Sequence, residues 1–406
     1  MRNDSVADPE RRSVSGVADP AASETGRGAA VVGISVAATS VVALPSMLVG
    51  AMAILMQRDL SFGEAELGIA VATAFGTGAL VAIPIGRVAD RVGPRLTIRL
   101  GLLFAAISLL GVGLATDGWL PLVAWMAFAG AGVTTIQLGT NVLITRAVPA
   151  ARRGLAFGTK QAAVPLASMG AGLALPLIGL AYGWQATFIG AAVAIPLIAL
   201  LVPAAGRAQP PAATDARLDV PLGSLVLLAT GVAFASAGGN ATPAFLVPSI
   251  VDRGLSPTAA GLVLAAGSLV GVAARIGAGW LGDRLGRDSL AVVATMIGIG
   301  AIGFVGLSMA SEPVMIVGAA ALAFGGGWGW GGLMLLAVSR LAPVEPGRAM
   351  GIVQIGPMAG AVAGPLVFGF VAEELGFALA WSLASASAIA GLLIVLLTRR
   401  IVRRRD

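Results

Sequence analysis

The sequence predicts an all-α membrane protein of twelve transmembrane helices, built as two six-helix repeats with the N and C termini both cytoplasmic. Three observations carry this expectation: a composition too apolar for a soluble surface, a succession of membrane-length segments, and a repeat at one fixed offset.

Of the residues, 57% are hydrophobic and 11% charged, whereas a soluble domain carries about a quarter charged residues. Such an apolar excess suits a chain whose solvent is mostly lipid. The 57 glycines let membrane helices approach where no hydrophobic effect drives them together. Cysteine and histidine are absent, which removes thiol nucleophiles, Cys/His metal sites and histidine proton relays. No phosphate-binding Gly-x-x-x-x-Gly-Lys-[Ser/Thr] loop occurs, so ATP is not indicated. No metal, cofactor or catalytic residue is expected.

Apolar runs long enough to cross about 30 Å of hydrocarbon fall near 29–56, 65–88, 96–116, 119–145, 154–181, 185–205, 220–248, 257–281, 289–311, 313–339, 349–372 and 376–398. Residues 1–28 mix charge, Pro and Gly without a secretory pattern, as a disordered cytoplasmic tail would. Bundles are expected over 29–205 and 220–398, with a cytoplasmic linker at 206–219 and a basic tail at 399–406. Of the 26 basic residues, 22 lie in the two tails and the even-to-odd loops. The opposite face shows only Arg58 and Arg253 against eight acids, so the positive-inside rule places both termini in the cytoplasm. The +6 formal charge is thus accounted for by topology, and nucleic acid is not an expected partner.

Self-comparison supplies the third observation. Gly86-Arg87-Val88-Ala89-Asp90-Arg91-Val92-Gly93 in the loop after span 2 matches Gly279-Trp280-Leu281-Gly282-Asp283-Arg284-Leu285-Gly286 after span 8, an offset of 193. The same offset carries Gly158 to Gly351, Gln161 to Gln354 and Gly183 to Gly376. The halves are related.

A Gly-x-x-x-Asp-Arg-x-Gly block after the second span of each half resembles the major facilitator superfamily, in its bacterial twelve-helix type. The resemblance spans residues 29–398, and the Arg153-Gly154 and Gly347-Arg348 pairs opening spans 5 and 11 agree with it. It implies a secondary transporter in which span 2 faces span 11 and span 8 faces span 5. Asp90 would then meet the positive N-terminal end of span 11, and Asp283 that of span 5, as latches of the cytoplasmic side. Gly86 and Gly279 would allow close packing, Gly93 and Gly286 a tight turn, and Arg91 and Arg284 would pair with the acids or with lipid head groups. A solvated loop charge obeying positive-inside is the plain alternative for the acids and arginines among these residues.

The chain departs from the family pattern in places. Pro94 and Asp288 stand where a basic residue is usual, and span 5 has Pro165 but no Gly-Pro pair. The exporter-type Gly-Pro segment occurs only in span 11, as Gly356-Pro357-Met358-Ala359-Gly360. Span 4 has no buried arginine and span 1 no acid. Pro94 and Asp288 imply a weaker latch, and the placement of the Gly-Pro segment, the missing arginine and the missing acid weigh against drug/proton antiport.

Two cations fall inside the spans. Lys160 in span 5 and Arg275 in span 8 sit at matching depth, roughly 10–12 Å from the cytoplasmic ends. An ionisable group there costs about 2.5–3.5 kcal/mol and is a functional candidate by default. Their repeat counterparts are Val353 and Ala82, and no acid lies deep in any span. An anion supplied from outside the chain is therefore the natural partner. Snorkelling to the interface, or binding of helix-end carbonyls, is the alternative, as is a titrating role for Lys160.

In span 4, Thr134, Gln137, Asn141 and Thr145 share one helical face, which the resemblance makes pore-lining. Gln137, Asn141 and Gln161 are the residues expected to orient a ligand; Gln354, Asn240, Trp328 and Trp330 are weaker candidates. Proton symport or anion exchange by a monomer in the plasma (inner) membrane is the expected activity. A drug or metabolite exporter is the alternative within transport, and a non-transporting membrane sensor the alternative outside it.

Overall fold

A computed structural model describes residues 20–149, 153–203, 220–284 and 288–403, and for 20–27 and 282–284 it describes the backbone alone. The expected linker at 206–219, Gly286, residues 1–19 of the N-tail and residues 404–406 of the C-tail lie outside the described residues.

Among the described residues, twelve helices are long and apolar enough to cross a membrane. They are α1 (Gly28–Ala51), α2 (Glu64–Val92), α3 (Pro94–Leu114), α4 (Trp119–Ala147), α5 (Arg153–Tyr182), α6 (Trp184–Leu201), α7 (Leu222–Asp252), α8 (Pro257–Leu281), α9 (Ser289–Met309), α10 (Pro313–Leu341), α11 (Pro346–Leu375) and α12 (Phe377–Arg403). The helical backbone of α1 begins upstream of its apolar run, at Pro20.

The repeat is visible in the backbone. Gly183 joins α5 to α6 with φ 85° and ψ 161°, and Gly376 joins α11 to α12 with φ 86° and ψ 160°. This positive-φ turn is one that only glycine adopts without steric cost. Packing repeats as well: α3 lies on α4 and α6 as α9 lies on α10 and α12.

Small residues set the helix crossings, because apolar lipid leaves close backbone contact as the main attraction between helices. A Cβ at Gly50 in α1 would stand 2.5 Å from the Pro243 carbonyl oxygen of α7. Gly356, Gly360 and Gly364 of α11 rest on the carbonyls of Ala229, Ala233 and Ala237 in α7. The Gly-Pro segment of span 11 therefore serves helix packing, whatever else it does.

The halves meet along two antiparallel seams. In the α5/α8 seam, Gly172 packs on Gly261, each Cβ position 2.7 Å from the other's carbonyl oxygen, and Ser268 Oγ donates to Ser168 Oγ at 2.8 Å. That seam continues to Gly158 and Gly279 near the basic face, where a Cβ on Gly158 would lie 3.8 Å from Gly279 Cα. The α2/α11 seam behaves differently. It is tight at the acidic face, where a Cβ at Gly68 would stand 2.5 Å from the Pro365 oxygen, and Gly76 reaches only Val362, at 3.9 Å. Beyond that point Gly86, Gly347 and Gly351 have nothing within 4 Å of a Cβ position, and Ile83 and Ile355 are 68% and 65% exposed. The molecule is closed at its acidic face and parted along one seam at its basic face.

Candidate anion site and its surroundings

Two breaks in helix hydrogen bonding build the site. Proline has no N–H, so Pro165 cannot donate to the carbonyl of Gln161 one turn earlier. The α5 helix is interrupted at Ala162, and the Gln161 oxygen is left free. In α10 the glycine-rich stretch winds into a π-bulge over Ala323–Gly327 and turns through Trp328 before helix resumes at Gly331. Broken helices at membrane depth need donors from elsewhere.

Arg275 supplies them. Its Nη1 donates to the Gln161 carbonyl at 2.7 Å and its Nη2 to the Trp328 carbonyl at 3.0 Å. The guanidinium also lies 4.8 Å from the Trp328 ring centroid, a cation–π distance. Nε is buried without an acceptor, and so is the side-chain oxygen of Gln161 without a donor. Arg275 thus takes up two helix carbonyls and keeps its Nε–H uncommitted.

Lys160, one residue before Gln161, is 1% exposed. Its Nζ donates to Gln137 Oε1 and, at 2.7 Å, to Asn141 Oδ1. Two uncharged amides therefore hold the ammonium, and neither cation has a carboxylate partner among the described residues. A hydrogen bond from a charged donor is worth about 1.5–3 kcal/mol, so the amides offset much of the burial cost while the net charge stays. Asn141 is exposed and Gln137 half-buried, which leaves the amide side of the ammonium reachable.

The remaining stripe residues divide. Thr134 Oγ1 donates to the Gly78 carbonyl of α2 at 2.8 Å, and Thr145 Oγ1 to its own helix at Asn141 O. Asn240 Nδ2 bonds Ser236 within α7, and Trp330 Nε1 donates to the Gly327 carbonyl. Gln354 is exposed on the parted face of α11.

Of the expected latch residues, Asp90 is exposed and carries no ion pair among the described residues. It lines a recess of about 220 Å³ with Gly86, Pro94, Thr97 and Gly139. Gly93 turns at φ 80°, its N–H on Ala89 O, and Pro94 opens α3. Arg91 is exposed at the end of α2, and Gly279 packs on Gly158. The helical backbone of α8 runs on past its apolar span to Arg284, so Asp283 and Arg284 stand at its end.

Asp288, the acid at a position where the family favours a base, is gripped within its own half. Arg399 binds it through Nε and Nη2, both at 2.9 Å, and Arg403 Nη2 lies at 2.7 Å. The hydrogen bond from Arg399 holds the Asp288 carboxyl below the ordinary aspartate range.

The acidic-face seal was not foreseen from the sequence. Glu373 of α11 accepts the Ala65 N–H of α2 at 2.8 Å, a carboxylate on a helix N-terminus. Glu66 caps Gly63 N at 3.0 Å, and Gln57 donates to Glu64 Oε1 at 2.9 Å. The acid-rich outer loops were the available signal, but pairing across the halves needed the fold.

Comparison with known proteins now decides the family. The profile of the Major Facilitator Superfamily matches residues 34–227 and 226–406, one copy on each half. The chain belongs to the Major Facilitator Superfamily. It is a multi-pass membrane transporter and not an enzyme. Relatives of this superfamily member include a chloramphenicol resistance protein of Streptomyces lividans, 30% identical over 74% of this chain and 80% of that protein. A probable nitrate/nitrite transporter NarK2 of Mycobacterium tuberculosis is 28% identical over 79% and 84%. Human monocarboxylate transporter 11 is 29% identical over 76% and 69%. Among solved structures, a bacterial homologue of the human lysosomal transporter Spinster, inward-facing and occupied, superposes with a TM-score of 0.68 at 17% identity. That superposition covers 95% of this chain and 97% of the other and shows the shared fold.

Proposed function

We propose that this superfamily transporter carries a small inorganic or organic anion across the plasma membrane as a monomer, by alternating access. The observation that carries the reading is a buried lysine held only by neutral amides, with Arg275 adjoining it through the Gln161 carbonyl. An anion arriving from the Asn141 side takes over hydrogen bonds from the amide oxygens, and the charge left unpaired in the empty site is neutralised. Arg275 adds its field, and its buried Nε–H, which has no acceptor, is a donor available to the ligand. Gln137, Asn141 and Gln161 orient what binds. A nitrate/nitrite transporter and a monocarboxylate transporter among the relatives agree with an anionic cargo.

The site has no acid to carry a coupling proton, so symport would move the proton with the anion, and exchange would need none. The latch at Asp90 engages when the basic face closes, whereas Asp283 ends α8 at a seam that is already closed there. A second reading, export of a drug, is favoured by the Streptomyces relative; a lipophilic cation would meet two positive charges on that path.

Uptake into proteoliposomes tests the proposal, with nitrate, nitrite and a short monocarboxylate as probes and chloramphenicol as the counter-probe. Anion uptake is expected, driven by an inward proton gradient or by a trans anion. Lys160→Gln should lower it about ten- to a hundredfold, the worth of one charged hydrogen bond. Chloramphenicol movement without anion uptake, or full anion uptake by Lys160→Gln, would sink the anion reading.

A further inference from the structure

We propose that the two seams do different work: α5/α8 is a hinge line that stays closed throughout the cycle, and α2/α11 is the moving gate, which closes on a Gly86–Gly351 contact. This rests on alternating access, and it is independent of which substrate is carried.

The internal repeat gives the register. An offset of 193 exchanges the seams, carrying α5 onto α11 and α8 onto α2. The Gly172/Gly261 contact maps onto Pro365/Gly68, and these two residues do touch, at 2.5 Å from the Gly68 Cβ position. The seams therefore share one register at the acidic face. The same operation carries Gly158/Gly279, which touch at 3.8 Å, onto Gly351/Gly86, which touch nothing. Ile83, Gly86 and Asp90 follow Gly68 and Gly76 at helical spacing on one face of α2, as Ile355, Gly351 and Gly347 follow Pro365 on α11. Continuing the register sets Ile83 against Ile355, Gly86 against Gly351, and Asp90 against Gly347. The closed seam is a template for the open one.

The staple explains the asymmetry. Arg275 crosses from α8 to the Gln161 carbonyl of α5 while holding the Trp328 carbonyl of α10. Its counterpart in the other seam is Ala82, opposite Gln354, which offers no such bridge. Parting α5 from α8 would strip a donor from a buried carbonyl that Pro165 cannot satisfy. Parting the inner half of α2/α11 exposes Ile83, Ile355 and glycine surface and releases only the solvent-exposed Asp90 from the N-terminal end of α11.

The chain has no cysteine, so paired cysteines test this directly. Gly158→Cys/Gly279→Cys and Gly86→Cys/Gly351→Cys both fit, since no Cβ at these positions clashes. Each pair is combined with Ala65→Cys, 6% exposed at the acidic end of α2, as a reporter for a membrane-impermeant maleimide after cross-linking in proteoliposomes. The Gly158/Gly279 pair should cross-link fully and leave the alkylation rate at position 65 unchanged. The Gly86/Gly351 pair should cross-link slowly and trap the form open at the acidic face. Because a minor state is populated at up to about 10%, trapping should raise alkylation about tenfold or more.

Loss of alkylation when Gly158/Gly279 is bridged would overturn the hinge. No bridge at Gly86/Gly351 under any condition would overturn the register. Absence of alkylation in the unbridged protein would remove alternating access, and this inference with it; anion uptake lost while both cross-linking results hold would remove only the substrate reading. Reversal by reductant in each case separates trapping from misfolding.

Discussion

The α5/α8 and α2/α11 seams are built from equivalent segments of a duplicated chain, yet one is closed along its length and the other only at its acidic half. The difference lies in a few side chains. The closed seam has Arg275 and the buried Ser168–Ser268 bond, and its counterpart has alanine in place of the arginine. The open seam has instead a carboxylate at its far end, with Glu373 on the N-terminus of α2. Duplication supplies symmetric backbones, and a handful of polar contacts that break the symmetry decide which seam parts.

The largest effect is expected from removing the staple. Arg275→Gln leaves the Gln161 and Trp328 carbonyls without their donors, at about 1–3 kcal/mol each, and the melting temperature in detergent should fall accordingly. Pro165→Ala returns an N–H to Gln161, so adding it to Arg275→Gln should recover a substantial part of the loss. A strictly additive double-mutant cycle would show that Arg275 does not serve that carbonyl.

Next come matched glycines. Gly261→Ala and Gly68→Ala each drive a Cβ into a facing carbonyl, at 2.7 and 2.5 Å, an overpacking cost of about 1–3 kcal/mol. In the hinge the cost should appear as lost thermal stability. In the gate it should appear as faster maleimide reaction at Ala65→Cys, because the acidic face then opens more often. Identical responses from both variants would erase the distinction between the seams.

Glu373→Gln should be milder. It weakens a charge–helix-end interaction worth up to about 1 kcal/mol, and alkylation at position 65 should rise several-fold with the melting temperature nearly unchanged.

The smallest effect is expected at Asp288, which lies in neither seam. Its pairs with Arg399 and Arg403 are solvent-exposed, with Asp288 40% accessible, so Asp288→Asn should cost under about 1 kcal/mol and less at high salt. Because the folded carboxyl titrates below the ordinary aspartate range, its contribution is complete at neutral pH. It fades only as pH falls through and below that range. Melting curves from pH 7 to 3 on wild type and variant should therefore converge at the acid end.

Much of this architecture was legible beforehand. The twelve spans follow from the cost of leaving backbone unpaired in lipid, which admits only helices or closed barrels, and from apolar runs long enough for helices. The repeat showed in Gly183 and Gly376, now seen in matching turns. At the site, Lys160, Gln137 and Asn141 could be named because ionisable and amide side chains are rare in membrane spans, but their mutual hydrogen bonds could not. Pro165 four residues after Gln161 was a readable sign of a free carbonyl; that Arg275 would fill it was not.

By itself the sequence determined the number of spans, the basic and acidic faces and the twofold relation of the halves. All three depend on local hydropathy, loop charge and self-similarity along the chain. Only the tertiary structure decided which face is closed, that Arg275 binds carbonyls, and that Glu373 seals α2. Those outcomes turn on contacts of a few ångströms between residues more than fifty positions apart, and no local pattern encodes such distances.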